Sequence, residues 1–259
     1  MSSSSQASSA PRSRAIRRLG FLARAIALVV AGAIGGWWWQ SRAAGPAANL
    51  AASDRAAIEQ VVREYILAHP EILPEAMENL QKRESAKQLS GVRKDIENPY
   101  PGAVLGNPAG KVTLVEFSDF ACTYCRQSLA DVESLIAANA DLRVVIRELP
   151  ILSPDSATAA RWALAAADQG KFAAFHKAMF LAGRPNAQTI EAAARAAGLD
   201  LERAKRSLAD PRIEAELERN IGFARQLGFN GTPSWVIGEQ IFAGAIGKDA
   251  LAKAIADAR

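Results

Sequence analysis

The chain has 259 residues, 31 Lys+Arg against 27 Asp+Glu, with 49% hydrophobic and 22% charged, which excludes wholesale disorder, collagen-like repeats and a multi-span membrane protein. The formal +4 is unevenly placed: no acid precedes Asp54, residues 1–43 hold six arginines, and residues 44–259 carry 25 basic against 27 acidic groups. The basic excess belongs to the head of the chain, so a nucleic-acid partner, which needs a basic face on the folded part, loses its support.

Residues 1–11 are Ser-rich, offer nothing to bury and are expected to be disordered. Arg12, Arg14, Arg17 and Arg18 then precede the apolar run Leu19–Trp39, which is broken by Arg24 and closed by Trp37, Trp38 and Trp39. Positive charge ahead of an apolar segment keeps the N-terminus cytoplasmic and sends the remainder across the membrane. Two forms of this export signal stay open. A cleaved signal peptide would use Ala25–Gly36 as its apolar region, with Ser41 and Ala43 at the cleavage site. An uncleaved inner-membrane anchor would use all 21 residues of Leu19–Trp39, close to the ~20 needed to span, with the tryptophans at the far interface.

Ala43–Asn49 reads as a tether, and Ser53 is placed to cap a helix. Behind it Ile58, Val61, Val62, Tyr65 and Ile66 follow the spacing of one apolar helix face, and His69-Pro70 stops it, since a residue before proline is pushed out of the helical region. A second helix is expected near Pro74, with Leu73, Met77 and Leu80 on one side before the polar stretch Gln81–Gln88. Two short helices with one stripe each cannot build a core of their own. They pack on the main domain as a docked linker, on a membrane, or on copies of themselves, which makes a homo-oligomer one expectation.

Two turn-rich stretches, Asn98–Gly102 and Gly106–Gly110, mark a boundary. The organisation expected is a signal or anchor over 1–43, a helical segment over 44–97, and a main domain over 98–259. In that domain Val112–Phe117 and Leu142–Ile146 read as strands around a helix at Thr123–Asn139. Ser156–Ala182, Gln188–Ala197 and Leu201–Leu227 are helical in period. Ser234–Ile237 and Gln240–Phe242 flank a Gly-Glu hairpin signal, and Lys248–Ala258 closes the chain as a helix. This order gives an α/β fold in which helices cover a small mixed sheet.

The chain has two cysteines, Cys122 and Cys125, directly after a strand and opening a helix. At a helix N-terminus the free N–H groups and the positive end of the dipole stabilise a thiolate, which attacks a disulfide before the second thiol resolves the mixed species. Zinc needs four ligands, and only His69 and His176 remain, in different elements. A structural staple is poorly served by so short a loop. The pair therefore reads as redox-active, with the electrons held in the cysteines and no cofactor required. Glu116, six residues before Cys122 in an apolar strand, reads as a desolvated carboxyl with a raised pKa that exchanges the proton of Cys125; a solvent-facing Glu is the competing reading. Asp119 reads as a solvated turn cap. Trp162, Phe172, Phe175, Met179 and Phe180 recur at helical spacing and read as core, with His176 beside them as an ordinary histidine.

Leu114-Val-Glu-Phe-Ser-Asp-Phe-Ala-Cys-Thr-Tyr-Cys-Arg, with Gly106-Asn-Pro ahead of it and Gly231-Thr-Pro-Ser-Trp-Val-Ile-Gly near the end, resembles the DsbA-like thioredoxin-fold thiol:disulfide oxidoreductases from about Pro99 onward. The segment Ala57–Glu84, with Tyr-Ile-Leu-Ala-His-Pro-Glu-Ile-Leu-Pro-Glu-Ala, further resembles the N-terminal domain of the suppressor-of-copper-sensitivity C (ScsC) proteins, some of which are trimeric isomerases. The resemblance implies a thioredoxin fold with a helical insertion, Cys122 as the exposed nucleophile and Cys125 as the buried resolving thiol. It further implies a cis Pro233 against the site, preceded by Thr232 whose backbone pairs with an extended substrate. Thr123-Tyr124 replaces the Pro-His of the strong oxidase, which implies an isomerase or reductase in the periplasm. Its partners would be exported proteins with cysteines and a membrane redox donor. A copper chaperone holding Cu(I) on the same two thiolates is the alternative.

Overall fold

The computed structural model describes residues 52–259, together with Gly32 and Trp38, and the chain divides after Pro74 into two units. In the first, helix α1 (Ala52–Ala68) stops ahead of His69-Pro70 as expected, but it starts at Ala52, so Ser53 lies inside the first turn. Ile58, Val61, Val62, Tyr65 and Leu67 are all exposed in the single chain. The segment Leu19–Trp39, which carries the export expectation, lies outside the described residues apart from Gly32 and Trp38. Among the described residues no helix is long and apolar enough to cross a membrane.

Helix α2 (Ile72–Leu89) crosses the division and runs on through the polar stretch Gln81–Gln88, burying Ser85 and Leu89 near its end. A five-residue helix, α3 (Arg93–Glu97), follows. The sheet has five strands: β1 (Val104–Gly106), β2 (Val112–Ser118), β3 (Leu142–Glu148), β4 (Ser234–Ile237) and β5 (Gln240–Ala243). Their order is β1-β3-β2-β4-β5. Strands β2 and β3 are parallel, joined by helix α4 (Thr123–Ala138), while β1 on β3, β4 on β2 and β5 on β4 are antiparallel. Between β3 and β4 comes a helical insertion, α5 (Pro154–Ala167), α6 (Phe172–Ala182), α7 (Ala187–Ala196), α8 (Leu201–Ser207) and α9 (Pro211–Gln226), and α10 (Lys248–Asp257) closes the chain. This is the α/β thioredoxin fold with a helical insertion.

Alternation along the strands builds two cores. Val112 and Leu114 of β2, Leu142, Val144 and Ile146 of β3, and Trp235 and Ile237 of β4 face one core, together with α4 and the insertion. Val115, Phe117, Val145 and Val236 face the other, with Leu89, Ile96 and Phe223. The aromatic stripe foreseen as core is buried: Trp162, Phe172, Phe175, Met179 and Phe180 all lie inside.

Two long helical runs are each broken in the structure. Ser156–Ala182 divides at Gly170, whose φ of 68° ends α5 in the left-handed region while its N–H bonds the Ala167 carbonyl at 2.9 Å. Leu201–Leu227 divides at Asp210-Pro211, where the Asp210 side chain accepts from Arg212 N–H and Pro211 opens α9. Strand β1 is only three residues long and carries no readable period. Gly106 ends it with φ 75°, and a Cβ there would meet the Leu142 carbonyl at 2.7 Å.

Candidate active site

Cys122 is the N-cap of α4, and its side chain caps the helix through sulfur: the Cys125 N–H donates to Cys122 Sγ at 3.4 Å. The Cys122 thiol in turn donates to the Thr232 carbonyl at 3.1 Å. Both cysteines are free thiols. The exposed nucleophile implied by the resemblance is corrected: Cys122 is 5% exposed and Cys125 1%, because the loop carrying Thr232 lies over the first sulfur. The Thr232–Pro233 peptide is cis. That loop is tied down by the Ser234 hydroxyl donating to Gly231 carbonyl at 2.8 Å and by Gly244 N–H donating to Pro233 carbonyl at 2.9 Å.

The two sulfurs are driven apart in acidity. Hydrogen bonding from the Cys125 thiol leads the causes that push Cys122 down to about 5, helped by Thr232 and by the backbone N–H groups of Cys125 and Tyr124 against the opposing cost of burial. Burial, then the bond to Cys122, then the nearby Glu116 charge, hold Cys125 far above the ordinary thiol range. The first thiol is thus the stronger acid of the pair and its neighbour the weaker.

Glu116 sits on the core face of β2, between Ile146 of β3 and Trp235 of β4. It is 3% exposed, so the solvent-facing reading does not hold, and burial raises its carboxyl to about 8. Two residues on, Ser118 lies opposite Glu148 across the β2–β3 ladder. Glu148 is buried, its Oε1 and the Ser118 hydroxyl find no hydrogen-bond partner, and burial with the Asp119 and Glu116 charges pushes its carboxyl well above the usual range.

Glu148 lies two residues beyond the strand expected at Leu142–Ile146 and behind the charged Arg147, and it becomes a strand residue because β3 runs on to Glu148. Asp119 is likewise corrected from a solvated cap: it is 1% exposed, because its carboxylate is filled by backbone N–H groups from two loops. His176 is buried against Phe120, Phe172 and Phe180, with neither ring nitrogen bonded, and burial lowers it to about 4. Among the described residues no group of three or more His, Cys, Asp or Glu side chains is arranged to hold a metal.

Residues 99–257 match the thioredoxin family model, more than half of the chain. The chain belongs to the thioredoxin family. Residues 54–87 match the family described as the copper resistance protein ScsC N-terminal domain, so this family member joins a DsbA-like thioredoxin domain to an ScsC-type N-terminal segment. A thioredoxin-like oxidoreductase from Silicibacter pomeroyi is 42% identical, covers 64% of this chain and 97% of its own, and superimposes with a TM-score of 0.62. ScsC of Proteus mirabilis in a transitional conformation is 28% identical, covers 81% and 97% of the two chains, and gives 0.60. Among curated proteins, a Na(+)/H(+) antiporter NhaA 1 of Salinispora arenicola is 30% identical over 182 residues, 67% of this chain and 28% of its own length. The chain thus spans about a quarter of the length of the curated relatives it matches.

Proposed function

We propose that this thioredoxin-family chain is a thiol–disulfide oxidoreductase of the cell envelope, working in the isomerase or reductase direction on cysteine pairs of exported proteins. The observation that carries the reading is the Cys122 sulfur, which caps α4, rests on the Thr232 carbonyl and is pushed down to about 5. As a thiolate it attacks one sulfur of a substrate disulfide; a Cys122–substrate bond forms, the substrate bond breaks, and the departing sulfur takes a proton. Cys125 then gives its proton to the Glu116 carboxylate and attacks Cys122. The substrate leaves reduced by two electrons, and the pair is left as a disulfide. In isomerisation a second substrate thiol resolves the mixed disulfide instead. Thr232, beside the cis proline Pro233, offers its backbone to an extended substrate once Cys122 has left its carbonyl.

The direction is supported by the dipeptide between the cysteines, since Thr123-Tyr124 puts no imidazole beside the thiolate and Tyr124 is exposed, and it is opposed by the lowered Cys122 pKa, which stabilises the dithiol and makes the pair more oxidising. Working in that direction requires a membrane donor that returns the pair to the dithiol. Resemblance of residues 54–87 to ScsC and the exposed apolar face of α1 support a homo-oligomer, a trimer by that resemblance, built on a helical segment over 44–97 ahead of the domain over 98–259. Periplasmic placement follows from the arginines and apolar run at the N-terminus, as a cleaved signal or an anchor.

The match of residues 54–87 to the N-terminal domain of a copper resistance protein favours one second reading, Cu(I) carried as cargo on the two sulfurs. Incubation with a scrambled disulfide substrate separates the two. Reshuffling or reduction that survives copper chelation is expected; tight Cu(I) binding without exchange would replace the enzyme with the chaperone.

A further inference from the structure

We propose that Ser118 and Glu148 are positioning residues for the proton of this exchange: they carry it from Glu116 to the outer end of β3, so that Glu116 regains its carboxylate within a turnover. The inference deepens the proposed exchange at Cys122 and rests on Glu116 as the group that takes the proton of Cys125.

Alternation puts Glu116 and Ser118 of β2 and Glu148 of β3 on one face of the sheet, the face that α4 covers. Ser118 follows Glu116 by two residues and pairs directly with Glu148 across the parallel ladder. All three are buried. Ser118 opposes the effect of burial on the Glu116 carboxyl, yet its hydroxyl and Glu148 Oε1 have no hydrogen-bond partner in the protein. Buried polar atoms left open cost free energy; here two of them stand opposite one another, beside a carboxyl that must take and return a proton. Rotation of Ser118 about χ1 between staggered wells swings its hydroxyl between the two carboxyls.

The charges that act on Glu148 are Asp119 and Glu116, and with burial they favour its neutral acid. Asp119 is taken up by the N–H groups of Ala121, Ile151 and Leu152. Cys122 and Cys125 of α4 act on Glu116 and are acted on by it. From α9, Asn220 bonds the Glu148 carbonyl at 3.0 Å and leaves the carboxyl open, while Glu216 is held by Arg147. His176 of α6 packs on Phe120, and Asp155 at the start of α5 is exposed. A neutral carboxylic acid with an open oxygen passes a proton without becoming charged, one entering at Oε1 as another leaves from the second oxygen. The proton of Cys125 thus moves to Glu116 and then to Ser118 Oγ, as the Ser118 proton moves to Glu148 Oε1. A proton leaves the other Glu148 oxygen for water at the last residue of β3, three residues before the exposed Ile151.

The test is a stopped-flow single turnover of the reduced full chain with a fluorescent peptide whose one cysteine is a mixed disulfide with thionitrobenzoate. Cys122 bonds the peptide sulfur and the coloured thiolate leaves. Cys125 then bonds Cys122 and the peptide thiol leaves, read as a fall in anisotropy, the two cysteines having supplied both electrons. In the wild type the path is faster than release, so release is expected in one phase at every pH. In Glu148→Gln and in Ser118→Ala the proton on Glu116 is frozen for the turnover and release splits in two. With Glu116 raised to about 8, the fast part is expected to be about a tenth at pH 7 and about nine-tenths at pH 9. Ser118→Thr, which keeps the hydroxyl, is expected to restore the single phase.

A single phase in both Glu148→Gln and Ser118→Ala, at the wild-type rate or uniformly slower, overturns the path while exchange at Cys122 stands. A split in Glu148→Gln alone removes Ser118 from the path. A split that persists in Glu116→Gln/Glu148→Gln shows that the frozen proton is not that of Glu116 and overturns the proposal. No release of thionitrobenzoate by the wild type overturns the exchange itself.

Discussion

Glu116 and Cys122 shift in opposite directions, and each shift has a pH signature. A Cys122 thiol pushed down to about 5 gives alkylation that rises with pH through about 5 and is flat by neutrality, while Cys125 stays unmodified. The thiolate also stabilises the reduced form: that stability is fully present above the ordinary thiol range, about 8.5, and is lost as pH falls through about 5. Mass spectrometry of the alkylated protein across pH reads the first effect. Glu116, raised to about 8, carries the opposite sign. Its contribution to stability is whole below the ordinary carboxyl range and is lost as pH rises through about 8, on the order of a few kcal/mol when complete. Glu116→Gln removes the penalty, so at pH 9 the variant is expected to resist urea better than the wild type and at pH 4 to match it. The same variant is expected to lose the rise near pH 8 in the rate of mixed-disulfide resolution; an unchanged profile would end the proton role of Glu116.

At the scale of elements, Arg147 and His176 are the residues on which packing depends most visibly. Arg147, on β3 and 0% exposed, donates from Nε to the Ile96 carbonyl at 3.0 Å and from the guanidinium to the Asp95 and Asn98 carbonyls, closing α3. It also bonds Glu216 and Asn220 of α9 and lies 5.3 Å from the Phe223 ring centre. Arg147→Met leaves the Glu216 charge buried without its guanidinium partner and takes the arginine donor from the Asp95, Ile96 and Asn98 carbonyls, and is expected to lower the unfolding free energy by about 3–5 kcal/mol in denaturant titration.

His176 on α6 is held neutral in its aromatic box. With its pKa lowered to about 4, its contribution is present above about 6.5 and lost as pH falls through about 4. His176→Leu is therefore expected to flatten acid unfolding between pH 6 and pH 4, by about 3 kcal/mol. Much of this level was legible in the sequence, since β2, α4, β3 and the hairpin β4–β5 announce themselves through apolar period and turn residues. The three-residue β1 and five-residue α3 are too short to carry a period and exist through the Arg147 bonds and the β3 ladder. At the site, the cysteines, Glu116 and Pro233 were readable from spacing and resemblance. Asp119, Glu148 and His176 were not, because whether a polar side chain is buried depends on the elements that later cover it.

In the whole molecule, residues 98–259 carry equal numbers of basic and acidic side chains, and the net −2 of residues 44–259 lies in the helical segment, whose first helix has an exposed apolar face. Deletion of residues 53–88 is expected to reduce the sedimentation mass to that of a monomer and to lower reshuffling of scrambled substrates more than exchange with a single-disulfide peptide. Equal loss of both would confine the segment to stability of the fold. In the proposed exchange, Cys122 is the sulfur that bonds substrate and Cys125 the one that releases it. The most direct measurement is trapping with Cys125→Ser, mixed with a disulfide-bonded protein substrate, separated without reductant and mapped by mass spectrometry. A stable substrate adduct on Cys122, absent when Cys122→Ser replaces it, is the expected result; an adduct elsewhere, or none at neutral pH, would contradict the account.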